Sequence, residues 1–379
     1  MITTFHLPTK IIFGTGSLAR LGVEARGVGR KAILVTGSSS MRKAGVVDRV
    51  VQDLKANGVD TLIFDKVKPN PRASTVDEGA KMVREEGVDL VIGLGGGSAM
   101  DAAKGITLAS AGTEPIWHYV EAEVKITGRV PSLVLVPTVA ASGSEANNGA
   151  VITNWETHEK RVLISPYLFA KVSIVDPELT LTLPEKPTRQ GGVDIFCHLV
   201  EYYLTTKRPS PLTEGIMETS MRLVVESLPQ VLTRLDDIEA RTRLSWVSTI
   251  ACSQLVRLGD GAGALTLHGI EHPLSGYYDI AHGDGLAALL PAWMRYTLPV
   301  KQERFYSLGR NVFGEVDGKM ATEKWLEKVG MKLRLRNLGI EPERIEEMAN
   351  CAVRTAPWLK DHPRLLDAAA TAQIYHDSY

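Results

Sequence analysis

Residues Asp89–Lys104 read DLVIGLGGGSAMDAAK. An apolar run is closed by Gly95-Gly96-Gly97-Ser98, and an alanine-rich, helix-favouring stretch starts near Ala99. Strand, glycine turn and helix in that order open a βαβ unit. Glycines there tolerate positive φ and let the backbone approach a bulky anion. The N-terminus of the following helix adds unpaired N–H groups and the positive end of a dipole, which suit a pyrophosphate. The stretch therefore reads as a phosphate or dinucleotide cradle; the competing reading is a tight turn that needs glycine only for packing. It is neither G-x-G-x-x-G nor a Walker A motif, because no Gly-Lys-Ser/Thr follows.

Outward from this turn, short β-branched runs recur at Lys31–Thr36, Thr61–Asp65, Ser132–Val136 and Val172–Val175. Amphipathic stretches at Val46–Asn57 and Thr75–Glu86 lie between the earlier ones. Such alternation predicts an α/β domain built on a parallel sheet. From about Pro184 the strand signals fade, and helical patterns take over at Gln190–Thr205, Pro211–Leu232, Asp237–Val256 and Thr322–Leu338. The change follows the run DPELTLTLPEKP, so the chain is expected to divide into an α/β domain, 1–183, and an all-α domain, 184–379. Two domains also suit 379 residues.

Composition narrows the function. Lys and Arg total 43 against 44 Asp and Glu, a net charge of −1, which argues against a nucleic-acid binder working through a basic surface. The 44% hydrophobic and 23% charged fractions exclude global disorder. Cys197, Cys252 and Cys351 are too few and too dispersed for a disulfide framework, which favours a reducing compartment. The N-terminus lacks the pattern of a secretory signal, and no apolar run reaches the roughly 18 residues of a membrane span. A cytoplasmic location and no membrane partner are expected.

Gly14-Thr15-Gly16-Ser17-Leu18-Ala19 comes closer to the dinucleotide fingerprint than the glycine turn does. It follows a short strand, however, and no acidic residue ends the next one, so it reads as a turn. The strand Lys31–Thr36 instead runs into Gly37-Ser38-Ser39-Ser40, with Arg42 and Lys43 beyond. Small hydroxyl side chains and cations at this point suit a ribose 2′-phosphate and favour NADP over NAD.

A second constellation lies in the helical half. Asp194 and His198 are spaced i and i+4 in GGVDIFCHLVEYY, on one face of a helix. His268, His272 and His282 cluster in LHGIEHPLSGYYDIAHGDG, with a Pro- and Gly-containing break before His282. A carboxylate with neutral imidazoles makes a plausible site for Fe(II) or Zn(II). Taken singly, Asp194 and His198 would read as a surface pair on a helix. His268-Gly269-Ile270-Glu271-His272 also fits the H-x-x-E-H pattern of certain zinc peptidases, with Glu271 as general base. That reading leaves the glycine turn, Asp194 and His198 unused.

With GGGSAMDAAK, PTVAASGSE, DPELTLTLP, Asp194-x-x-x-His198 and HGIEHPLSGYYDIAHG in this order, the chain resembles the iron-containing (group III) alcohol dehydrogenase family over nearly its whole length. Within it, Gly37–Ser40 and VDIFCHLVEYYLT are most similar to NADP-dependent butanol-dehydrogenase-type aldehyde reductases. The resemblance implies a Rossmann-like N-terminal domain and a helical C-terminal domain, together the dehydroquinate synthase-like/iron alcohol dehydrogenase fold, with a cleft between them. It implies a metal-dependent NADP(H)-linked alcohol dehydrogenase or aldehyde reductase, with an NAD-dependent glycerol or polyol dehydrogenase as the alternative. Asp194, His198, His268 and His282 would bind Fe2+ or Zn2+, while His272 would stand beside the nicotinamide and relay a proton. Gly95, Gly96, Gly97, Ser98 and Asp101 match the pyrophosphate loop, and Thr138 and Ser142 match a stretch lining the cofactor. Asn70, Lys160 and Leu179 match further cofactor contacts. Val139 departs from the usual Thr, whereas Ser142 keeps the hydroxyl of the usual Thr. A small-molecule alcohol or aldehyde substrate and a homo-oligomer, dimer or higher, are implied as well.

Overall fold

The computed structural model describes residues 4–37, 39–122, 124, 126, 128–260 and 263–379. The chain divides into two compact units, Leu7–Thr182 and Leu183–Tyr379, the latter joined by the N-terminal residues up to His6.

In the first unit, β1 (Lys10–Phe13), β2 (Lys31–Gly37), β3 (Asp60–Val67), β4 (Leu90–Gly95), β5 (Ser132–Pro137) and β8 (Val172–Val175) form one sheet. Its order is β1-β8-β5-β4-β2-β3, and every neighbouring pair is parallel. The strands alternate faces with period 2. Ile33, Val35 and Val91 point into an apolar cluster with α4 (Ala73–Glu85), α5 (Gly97–Ser110) and α6 (Ile116–Glu121). Ala32, Leu34, Leu90 and Ile92 point the other way, against α1 (Leu21–Val28) and α3 (Val46–Ala56); α2 (Ser40–Lys43) lies between β2 and α3 in sequence. Burial on both faces is why these strands read as unbroken apolar runs rather than alternating ones. The short strand expected before Gly14 is the edge strand β1, whereas the antiparallel hairpin β6 (Gly149–Asn154) and β7 (Glu159–Ile164) was not anticipated from the sequence.

After β2 the chain moves outward to β3, then crosses back to place β4 on the other side of β2. That reversal leaves a crevice at the carboxyl ends of β2 and β4, where open α/β sheets bind their ligands. Gly37 ends β2 and Gly95 ends β4.

The second unit contains α7 (Glu185–Thr205), α8 (Pro211–Thr233), α9 (Ile238–Ala251), α10 (Thr266–Tyr278), α11 (His282–Thr297), α12 (Gln302–Leu308), α13 (Gly318–Lys328), α14 (Ile345–Thr355) and α15 (Ala368–Ser378). Every residue of α7 from Gly191 to Thr205 is buried, as expected of a helix enclosed on all sides. Two expectations shift. The Thr322–Leu338 pattern is not one helix: α13 ends at Lys328, and Gly330 takes φ +69°, the left-handed turn that commonly stops a helix. Conversely, α10 runs straight through Pro273, and the break before His282 falls at Asp279, with φ +53°. Among the described residues, no helix is long and apolar enough to cross a membrane.

Candidate metal centre and cofactor cradle

Three helices of the second unit converge on one carboxylate oxygen. Asp194 and His198 occupy successive turns of α7, His268 lies in the first turn of α10, and His282 opens α11. Oδ1 of Asp194 lies 3.3 Å from Nε2 of His268, 3.4 Å from Nδ1 of His198 and 3.9 Å from Nε2 of His282. Asp194, His268 and His282 bring one ligand atom each to within 4.8 Å of one another. His198 flanks this group, its ring centroid 4.2 Å from that of His268. Its Nδ1 is buried and makes no hydrogen bond.

Behind the imidazoles stand two fully buried carboxylates that the motif reading passed over or cast differently. Glu201 accepts hydrogen bonds from the N–H groups of Leu267 and His268, and its Oε1 pairs with Nδ1 of His268. Glu271 pairs with Nδ1 of His282 and accepts from the Ser275 hydroxyl. Glu201 was findable: it lies three residues beyond His198 and seven beyond Asp194, on the same helical face. Glu271 in the peptidase reading would have to act on a water; here it is fully buried and bonded to His282, so the H-x-x-E-H match carries no peptidase site.

The carboxylates and imidazoles of the cluster are strongly coupled. Burial by itself would raise Asp194, but the imidazoles of His198, His268 and His282 hold its carboxyl well below the usual carboxylate range. Burial would lower His268, yet Glu201 and Asp194 outweigh it and push the imidazole up to about 10. A neutral imidazole that donates from Nδ1 to a carboxylate keeps its Nε2 lone pair for a metal. With the orphaned nitrogen of His198, one carboxylate and three imidazoles fit a divalent ion such as iron or zinc.

His272 does not belong to the tight group: its ring centroid lies 6.0 Å from His282 and 6.4 Å from Trp358, and the residue is buried.

In the first unit, the glycine turn is as compact as the sequence suggests. Gly95 has φ +156°, and a Cβ there would stand 2.7 Å from that of Ala99. A Cβ on Gly97 would meet the Ser142 hydroxyl at 2.8 Å, and one on Gly96 would meet Val139 at 3.2 Å. The helix α5 begins at Gly97 and no side chain caps it, so Gly97 and Ser98 present an open N-terminus. Thr138 is tied to the turn through its N–H, which bonds the Gly95 carbonyl at 2.9 Å. Gly95, Gly96, Gly97, Ser98, Thr138 and Ser142 thus lie together. The 14–19 glycines do not form a cradle, because the N–H groups of Gly16 and Leu18 are bonded to the Asp176 carboxylate.

The remaining cofactor candidates separate. Asp101 is buried, with its oxygens bonded to the Ser144 hydroxyl and the Val151 N–H, so it anchors the segment leading into β6. Leu179 is buried in the apolar cluster beside α1 and α3. Lys160 on β7 donates to Asn70 at 3.0 Å, and Asn70 takes φ +51° after β3. Gly37 ends β2 at the crevice, Ser39 and Ser40 come after it, and Ser38 lies outside the described residues. Arg42, the cation expected beside them, is paired with Asp65 at 2.8 Å.

Sequence and structure comparisons converge on one group. The model for "Iron-containing alcohol dehydrogenase" matches residues 8–177, and that for "Fe-containing alcohol dehydrogenase family, C-terminal" matches residues 188–379. NADH-dependent butanol dehydrogenase A of Clostridium acetobutylicum is 34% identical, with 99% of each chain covered. NADPH-dependent aldehyde reductase YqhD of Escherichia coli is 30% identical, with 89% of each covered. The crystal structure of NADH-dependent butanol dehydrogenase A from Thermotoga maritima superposes with a TM-score of 0.93 at 33% identity, covering 99% of this chain and 98% of that one. Carrying a paired carboxylate and imidazole centre in its helical half, the chain belongs to the iron-containing alcohol dehydrogenase family of oxidoreductases.

Proposed function

We propose that the protein is a metal-dependent, NADP(H)-linked alcohol dehydrogenase that reduces aldehydes to primary alcohols and runs in reverse. The observation that carries this reading is the approach of three imidazole nitrogens to Oδ1 of Asp194 within 3.9 Å, two of those rings being backed by buried carboxylates. Asp194, His198, His268 and His282 hold the ion, Fe2+ or Zn2+. When bound, the ion supplies Lewis-acid polarisation of the substrate oxygen and the nicotinamide supplies hydride.

The chain's own groups do the rest. Glu201 and Glu271 fix two rings with Nε2 towards Asp194, and the mostly buried walls keep water from competing for that position. His272 donates the proton that the product oxygen needs, imidazole being a common proton-transfer group. The Gly95–Ser98 turn and the open N-terminus of α5 take the pyrophosphate, with Thr138 and Ser142 alongside. Lys160 and Asn70 contact the cofactor as a bonded pair. Gly37, Ser39 and Ser40 leave room for a 2′-phosphate, with Arg42 and Lys43 as its cations.

One observation supports the NAD-linked reading: Asp65 already neutralises Arg42. Relatives named for NADH and for NADPH both resemble the chain, as do 1,3-propanediol dehydrogenases. The test is oxidation of NADPH and NADH with butanal and a panel of short aldehydes and diols, before and after chelation and metal reconstitution. No metal-dependent turnover on any of them sinks the proposal, and turnover with NADH alone sinks its NADP part. A homo-oligomer working in the cytoplasm is part of the same reading, and the oligomer is checked by light scattering.

A further inference from the structure

Among the three histidines around Asp194 Oδ1, His282 is the one that packing holds least. Its side chain is 27% exposed, against 6% for His198 and 7% for His268 and Asp194. It is the first residue of α11, directly after a connection that includes the left-handed Asp279. A ring in that position is free to swing unless something grips it.

What grips it is Glu271. The carboxylate is fully buried; one oxygen pairs with Nδ1 of His282 and the other accepts from the Ser275 hydroxyl, one helical turn on in α10. Its room is made by Gly285, one turn into α11, where a Cβ would lie 2.7 Å from Oε1 and 2.9 Å from Cγ of Glu271. Burying a carboxylate is costly, and an apolar side chain would fill this space without that cost. Helix stability therefore does not explain Glu271, Ser275 and Gly285 together; orientation of His282 does.

We propose that Glu271 is the positioning residue for His282, fixing its ring with Nε2 directed at the metal position, and that Ser275 and Gly285 serve to hold Glu271 there. The proposal rests on the metal-centre reading above. A ring anchored through Nδ1 keeps the tautomer whose Nε2 is free to bind a metal, and such outer partners typically change metal affinity by about 10–100-fold.

The experiment measures Zn2+ dissociation constants of the full chain by chelator competition, and visible spectra after loading with Co2+. The proteins are the wild type, Glu271→Ala, Glu271→Gln, Ser275→Ala and His282→Ala, each with its apo thermal midpoint. Glu271→Ala is expected to weaken Zn2+ by about 10–100-fold and to shift the Co2+ bands. Glu271→Gln, whose amide oxygen still accepts from Nδ1, recovers most of the affinity, and Ser275→Ala falls between. Should Glu271→Ala not fold, Glu271→Gln and Ser275→Ala decide: affinities and Co2+ spectra identical to wild type in both overturn the proposal. Lower midpoints with unchanged affinity overturn it as well, since that is a purely structural role. Failure of the underlying metal reading has a different signature: wild type takes up no Zn2+, or His282→Ala binds it as tightly as wild type.

Discussion

His268 and Asp194, 74 residues apart in sequence, meet with Nε2 of the imidazole 3.3 Å from Oδ1 of the carboxylate. The opposite edge of the same ring is held by Glu201, so this histidine is fixed from both sides. Its neighbour His272, one turn along α10, is not part of that grip.

Replacing the two histidines should therefore have different consequences. His268→Ala removes a proposed ligand and strands the buried Glu201, so metal content measured by atomic emission should drop to background and turnover with it. His272→Ala should retain a full complement of metal while kcat falls by about 10²–10⁴-fold, the usual contribution of a proton-transfer group. Loss of metal from His272→Ala would show that the relay assignment is wrong.

At the end of β2, among the described residues, a Cβ on Gly37 meets only the Val67 carbonyl, at an ordinary 3.6 Å, so the backbone there accepts a Cβ. Gly37→Asp places a carboxylate where the 2′-phosphate would sit and should move the kcat/KM ratio towards NADH. Asp65→Asn should act the other way, releasing Arg42 from a half-exposed pair that contributes little to stability. Ratios unchanged in both variants would remove the 2′-phosphate site from this position.

Gly95→Ala adds a methyl group against Ala99 at a φ that side chains avoid. The cost to the apo protein in urea unfolding should be about 1–3 kcal/mol, with weaker NADPH binding by fluorescence titration. Gly96→Ala, whose Cβ lies 3.2 Å from a Val139 methyl, should be milder. Equal effects at the two positions would mean that backbone strain at Gly95 is not what matters.

Acid stability has an identifiable contributor away from the site. His362 is buried with its Nε2 3.0 Å from the Thr297 hydroxyl, and burial, with the nearby charges of Arg364 and Lys301, lowers it to about 4. Its folded value lies below the ordinary 6.5, so the unfolded chain takes up the proton first as pH falls. Stability from this group is complete above about pH 6.5 and is lost on descent to about pH 4, amounting to roughly 3 kcal/mol. His362→Gln should start from a lower midpoint at pH 7 but show a shallower decline over that window in thermal scans. An identical slope would assign the acid sensitivity elsewhere.

Local signals were legible because the physics behind them is local. The strand, glycine turn and helix of Asp89–Lys104 depend on periodicity and on the freedom of Gly95, both properties of neighbouring residues. Asp194 and His198 share a face by helical spacing alone. Patterns misled where a single residue overrode them, as at Gly330, which ends α13, and at Pro273, which α10 accommodates.

The sequence by itself determined the order of the elements, the two-part organisation of the motifs and the side-chain types of the candidate metal centre. Tertiary structure decided which of them act together. Glu271 kept a minor reading as a peptidase base until α11 brought His282 against it and buried it. Asp101 and Leu179 matched cofactor positions in the sequence; the fold bonds the first to Ser144 and Val151 and puts the second in an apolar cluster. The reason is that a carboxylate's role follows from what it is buried against, and burial is set by segments far away in sequence, brought together only when the helices pack.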